Sequence, residues 1–136
     1  MPEASFPVDV VNGVPVVTAP EEIDVTNAGR LRSVLIEASA SGSATLVVDM
    51  SRTQFCDSAG LNVLVRAHQR AEALGGQVRL VIATTDVRRI VTVTGIDSVI
   101  PSFPSLAQAL APARRSIVWQ PASACAPPSP DPLAAG

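Results

Sequence analysis

The sequence predicts a single α/β domain: an open mixed sheet with an N-terminal antiparallel hairpin, parallel βα units after it, and helices packed on the sheet. Three observations carry this. An Asn12-Gly13 pair, the preferred tight-turn dipeptide, separates two short apolar runs. Thr45–Met50 and Val78–Ala83 are nearly continuous apolar runs, the composition of strands covered on both faces as in a parallel sheet. Between and after them lie segments whose apolar residues recur at helical spacing, and such alternation argues for right-handed crossovers on an open sheet.

In order, Phe6–Val11 and Val14–Thr18 read as the hairpin strands. Asp24-Val25-Thr26-Asn27 leads into a helix with Leu31, Val34, Leu35 and Ala38 on one face; Asn27 is its expected N-cap, and Gly42 ends it. The Thr45–Met50 strand runs out at Asp49-Met50. A second helix opens at Ser58, with Leu61, Leu64, Ala67, Ala71 and Leu74 as the apolar stripe, Arg66, Gln69, Arg70 and Ala73 opposite, and Gly75-Gly76 as the stop. After Val78–Ala83, Thr85-Asp86 caps a short helix through Val93, and Gly95 ends it. A last strand is expected near Val99-Ile100. Ser105 to Gln108 is a capping-box pattern opening a helix to about Leu110. The predicted order is β-β-α-β-α-β-α-β-α.

With 136 residues, 47% of them hydrophobic, the chain suits one domain, residues 1–112, plus a tail. The tail, residues 113–136, is rich in Pro, Ala and Ser and cannot bury enough apolar surface to offset ordering entropy; Ile117-Val118-Trp119 is its one run able to dock locally or on a neighbour. Net charge is -2, and the ten basic residues are scattered arginines with no lysine. That is no basic stripe, so a direct nucleic-acid partner is not expected. No apolar run approaches the roughly 20 residues of a spanning helix, and the N-terminus lacks a secretory pattern, so a cytoplasmic protein without a membrane partner is expected. Cys56 and Cys125 stand far apart in unlike contexts, which favours reduced thiols over a disulfide.

The chemistry concentrates at Phe55-Cys56-Asp57-Ser58-Ala59-Gly60-Leu61. A serine hydroxyl at the first turn of a helix can cap it, or carry a phosphate that the free amides and the helix dipole favour. The Asp24 loop, the Asp49 strand end and Asp57-Ser58 each follow a strand and approach a helix, so they are expected to share the carboxyl edge of the sheet and form an anionic rim. A nucleophilic serine needs a nearby base, and His68 lies ten residues further along the helix, about 15 Å up its axis. No Gly-x-Ser-x-Gly elbow or P-loop occurs, and one histidine with two separated cysteines offers no zinc spacing. No catalytic residue, metal or cofactor is therefore expected. His68 reads as a packing or surface residue, Cys56 as a small buried one, and Arg88 and Arg89 as a solvated helix face.

Asp57-Ser58-Ala59-Gly60-Leu61, with Leu46-Val47-Val48-Asp49-Met50 before it and Val93-Thr94-Gly95-Ile96-Asp97 and Phe103-Pro104-Ser105-Leu106 after it, resembles the STAS domain of bacterial anti-sigma factor antagonists. The likeness covers nearly all of residues 6–111. Glu22-Ile23-Asp24 is similar to the family's Gly-Glu-Leu-Asp loop, with Glu21 in place of the glycine. The resemblance implies a non-enzymatic switch. Ser58 matches the serine that an ATP-dependent anti-sigma factor kinase phosphorylates; the unphosphorylated antagonist binds that kinase and frees a sigma factor, and a metal-dependent serine phosphatase resets the phosphorylated form. Asp24, Asp49, Asp57, Ser58, Ala59 and Gly60 are the implied partner-binding set, with plain loop chemistry the alternative for Asp24 and Asp49. Other roles open to such domains are interaction modules of stress-signalling or lipid-transport assemblies, cytoplasmic parts of anion transporters, and small-ligand binding. The sequence sets no oligomeric state.

Overall fold

The structure is a computed structural model and describes residues 6–111. The tail and its Arg114, Arg115, Trp119 and Cys125 lie outside the described residues. Strands β1 (Val8–Val11) and β2 (Val14–Thr18) pair antiparallel in the register Val8↔Val17 to Val11↔Val14. Asn12 and Gly13 join them with φ of 54° and 80°, the two left-handed residues that a type I′ turn requires. β4 (Thr45–Met50), β6 (Gln77–Ile82) and β7 (Ser102–Phe103) then add parallel to β2, giving a five-stranded sheet in the order β1-β2-β4-β6-β7.

Helices cover both faces. α1 (Ala28–Ser39), α2 (Ser58–Ala73) and α3 (Thr85–Val93) pack on one face, whose core includes Val17, Leu31, Leu35, Val48, Leu64 and Leu80. Among the described residues, the other face meets the short α4 (Leu106–Leu110), over Val16, Val47 and Val81. Successive residues of β4 therefore alternate between the two cores, which is why it is apolar without a break until Asp49. Arg79, buried on the α4 side, ties that helix down by donating from Nη1 to the carbonyls of Ala109 and Ala111, each at 2.8 Å.

Four of the five strands and all four helices read from the sequence are present, with local corrections. The expected strand near Val99-Ile100 is instead the end of a 3-10 turn (Ile96–Ser98), from which Ile100 N–H donates back to Ile96, while the ladder forms at β7. An apolar pair of that length has no periodicity to separate strand from turn. Leu74, assigned to the buried stripe, follows the last helical residue and is 75% exposed. His68 takes a place in the buried face instead: its Nδ1 accepts from Val78 N–H at 3.2 Å, and its Nε2 lies 3.2 Å from Glu72. Thr84 rather than Thr85 precedes α3, and its hydroxyl donates to Thr53 O instead of capping. Two further strands were not expected: β3 (Glu22–Ile23) and β5 (Phe55–Cys56) pair parallel as a small separate ladder.

Candidate functional site

That small ladder builds the site. Ile23 and Cys56 are buried beneath it, and Asp57 N–H donates to Ile23 O at 3.0 Å, so the loop before α1 and the start of α2 are fastened side by side. Two adjacent two-residue strands hold little on their own. Asp57 adds the missing ties. Its Oδ1 accepts from Gly60 N–H at 3.1 Å, making Asp57 the N-cap of α2, and its Oδ2 accepts from Val25 N–H at 3.2 Å. One carboxylate thus satisfies a first-turn amide and bridges two loops 32 residues apart in sequence.

Ser58 is consequently not the cap. It is the first residue of α2, it is exposed, and its hydroxyl is left free of the capping duty that the sequence allowed it. Ala59 is half-buried beside it. Gly60 is buried, and a Cβ there would stand 2.5 Å from Ile23 Cγ2 and 2.8 Å from Cys56 Sγ. The helix can lie this close to the ladder only because position 60 has no side chain.

The Asp24 loop is internally braced. Asp24 Oδ1 accepts from Thr26 N–H at 2.9 Å and from the Thr26 hydroxyl. These bonds to the ionised form, the hydroxyl's foremost, hold the Asp24 carboxyl below the ordinary value of 3.8. Asn27 stands at the N-cap position of α1, but its side chain does not cap: Oδ1 accepts from Asp24 N–H and Nδ2 donates to Glu22 O, both at 2.9 Å. An amide that reaches back into the preceding loop is a local competitor of capping.

The structure brings Asp24, Asp57, Ser58, Ala59 and Gly60 to one edge and separates Asp49 from them. Asp49 follows Val48 and precedes Met50, both in the α1–α2 core, so its side chain stands on the α4 face with Val47. There its Oδ1 accepts from Ser51 N–H at 3.0 Å, a turn contact at the strand end. The rim therefore keeps Asp24 and Asp57, with Glu21 and Glu22 in place of Asp49. A hollow of about 510 Å³ beside the Asp24 loop is lined by Glu21, Glu22 and Asp24, with Arg52 the one cation on it among the described residues.

Two apolar residues at this edge carried no signal in the sequence reading. Val25 is 75% exposed and Phe55 47% exposed. They lie inside the Asp24–Asn27 and Phe55–Leu61 stretches, and only their exposure, a tertiary property, distinguishes them from core. Cys56, next to them, is buried, and burial pushes its thiol up to about 12, so it is held as a neutral, unreactive group. Among the described residues no group of three or more His, Cys, Asp or Glu side chains is placed to hold a metal, and no helix is long and apolar enough to cross a membrane.

Comparison with known proteins agrees with this architecture. Residues 5–109 match the STAS domain model. The anti-sigma-F factor antagonist RsfB of Mycobacterium tuberculosis is 34% identical over 101 residues, which is 73% of this chain and 80% of that protein. The crystal structure of an anti-sigma factor antagonist from Mycobacterium paratuberculosis superposes with a TM-score of 0.73 at 30% identity, covering 79% of this chain and 92% of the other. The phosphorylated form of the Bacillus cell fate determinant SpoIIAA shares the fold, with a TM-score of 0.61 at 18% identity over 78% of this chain and 96% of the other. This chain belongs to the STAS-domain family of anti-sigma factor antagonists, which are regulators and not enzymes.

Proposed function

We propose that the chain is a phosphorylation-controlled antagonist: unphosphorylated, it docks the Asp24–Ser58 edge on an anti-sigma factor that is also its kinase, and phosphorylation of Ser58 ends the complex. The observation that carries this is the division of labour at the head of α2. Asp57 caps the helix, which leaves the Ser58 hydroxyl exposed and chemically spare. A serine needed as a cap would cost about 0.5–2 kcal/mol to remove from that duty; here modification of Ser58 leaves the Asp57 cap in place. RsfB is named as an anti-sigma-F factor antagonist, and SpoIIAA has structures in unphosphorylated and phosphorylated forms.

The physics of the switch is electrostatic. A phosphate brings about -1.5 to -2 charges to an edge already holding Asp57 and Asp24, while the helix terminus lets the domain tolerate it. The exposed Val25 and Phe55 are then the apolar anchors of the docking surface, and a charge brought beside them must be desolvated on docking. A metal-dependent serine phosphatase would reset the cycle. Asp49, on the other face, takes no part in this surface.

Mass spectrometry after incubation with candidate anti-sigma kinases and ATP tests the site. One added phosphate is expected on the wild type and none on Ser58→Ala; a folded Ser58→Ala still phosphorylated by the same kinase removes Ser58 from the mechanism. In calorimetric titration with that kinase, Ser58→Asp is expected to bind about tenfold or more weakly. Unchanged affinity would count against charge as the blocking agent.

A further inference from the structure

At the opposite end of α1 and α2 from Ser58, the two helices part to leave a groove of about 600 Å³ that reaches down to the Gly42–Ala44 loop and to Gly76. Its cause is local: Ala67 and Ala71 stand where α2 turns toward α1, and side chains that small do not fill the space over Leu35 and Ile36. Leu74, 75% exposed, lies at its mouth. A concavity of this size with an apolar floor is in the range of small-molecule sites.

Its charge is the informative feature. Among the described residues Arg32, Arg66 and Arg70 line the groove and no Asp or Glu does, although the whole chain carries net charge -2. Among the described residues none of these three guanidinium groups has a hydrogen bond or ion pair. Arg66 and Arg70 are also four apart on one exposed helix face, an arrangement in which like charges repel. An anion between them would relieve that repulsion, and the guanidinium fork matches a carboxylate in a bidentate manner.

We propose that this groove is a binding site for a single-chain fatty acid, with its carboxylate held by Arg66, Arg70 and Arg32 and its alkyl chain laid over Leu35, Ala67 and Ala71. The apolar floor selects the chain and the acid-free arginine rim selects the head. The site is independent of the Ser58 switch, since it shares no residue with the edge where that switch operates.

Nuclear magnetic resonance titration of the ¹⁵N-labelled full chain with sodium dodecanoate, below its micellar concentration, tests it. Saturable shifts are expected on the amides of Ile36, Ser39, Ala67 and Ala71. Butyrate, which lacks the chain, and dodecyl maltoside, which lacks the charge, are expected to bind at least about tenfold more weakly. The exposed double change Arg66→Gln, Arg70→Gln is expected to weaken dodecanoate about tenfold or more, the scale of losing a charge-assisted hydrogen bond; Ala71→Phe, which fills the floor, is expected to abolish it. Wild-type affinity in the double variant, equal binding of the uncharged detergent, or shifts that fail to saturate would overturn the proposal. So would a concentration-dependent dimer that Ala71→Phe dissolves, which would give the groove to a second copy of the chain.

Discussion

Gly60→Ala should destabilise this protein, although alanine is the better helix former. Position 60 is in the first turn of α2 with ordinary helical backbone, and on propensity alone the change is worth about 1 kcal/mol in alanine's favour. The new Cβ, however, would lie 2.5 Å from Ile23 Cγ2 and 2.8 Å from Cys56 Sγ, about 1–1.5 Å inside the optimal carbon–carbon separation of about 3.5–4.0 Å in the first case. Neither neighbour can swing aside. Ile23 is fully buried and β-branched, with a stiff χ1, and both residues are pinned in the β3–β5 ladder. Overpacking of that kind costs about 1–3 kcal/mol. Taking the upper half of that range and subtracting the propensity gain leaves a net loss of about 1–2 kcal/mol, or roughly 5–10 °C in melting temperature for a domain of this size. Gly29→Ala is the internal control, because a Cβ there meets nothing within 4 Å; it should raise stability by about 0.5–1 kcal/mol. Thermal and urea melts of the two variants beside the wild type decide the matter. A Gly60→Ala protein that melts at or above the wild type would refute the claim that α2 rests directly on the ladder.

Asp57→Ala should lose the cap on Gly60 and the bridge to Val25 together, lowering stability by about 0.5–2 kcal/mol in urea melts, and Asp57→Asn should fall between it and the wild type, because its amide oxygen can still cap while its Nδ2, a donor, cannot accept from Val25 N–H. Asp24 should titrate below 3.8 by carbon-detected magnetic resonance, and Thr26→Val should raise its midpoint toward that value. Because its folded pKa is depressed, whatever stability these bonds supply is present above about pH 3.8 and is lost as the pH falls through the lower folded value; bracing by Thr26 is wrong if the valine variant titrates like the wild type. Arg79→Met should cost about 1.5–3 kcal/mol, by leaving the Ala109 and Ala111 carbonyls without their donor, and should loosen α4 first in hydrogen exchange.

Most of the scaffold was legible from the sequence because its signals are local. Asn12-Gly13 dictates a left-handed turn on its own, and the β4 and β6 runs are mostly apolar because both their faces are covered. Ser105 caps α4 by accepting from Gln108 N–H as its four-residue pattern requires. The short Asp57-Ser58-Ala59-Gly60-Leu61 string marked the junction between β5 and α2, since the start of a helix is itself a local feature.

What the tertiary structure alone decided is which atom at that junction does which task. No spacing rule pairs Glu22-Ile23 with Phe55-Cys56, because a two-residue strand has no period of its own and exists only where a distant partner supplies its ladder. Once that pairing forms, Asp57 is placed to cap α2 and hold Val25, Gly60 is pressed against Ile23, Val25 and Phe55 are left exposed, and the Ser58 hydroxyl is left spare. Asp49, one of three acids the chain order suggested together, falls on the far face because side chains alternate along a strand. Sequence determined the elements and the junction between them; long-range pairing and the parity of one strand determined the site.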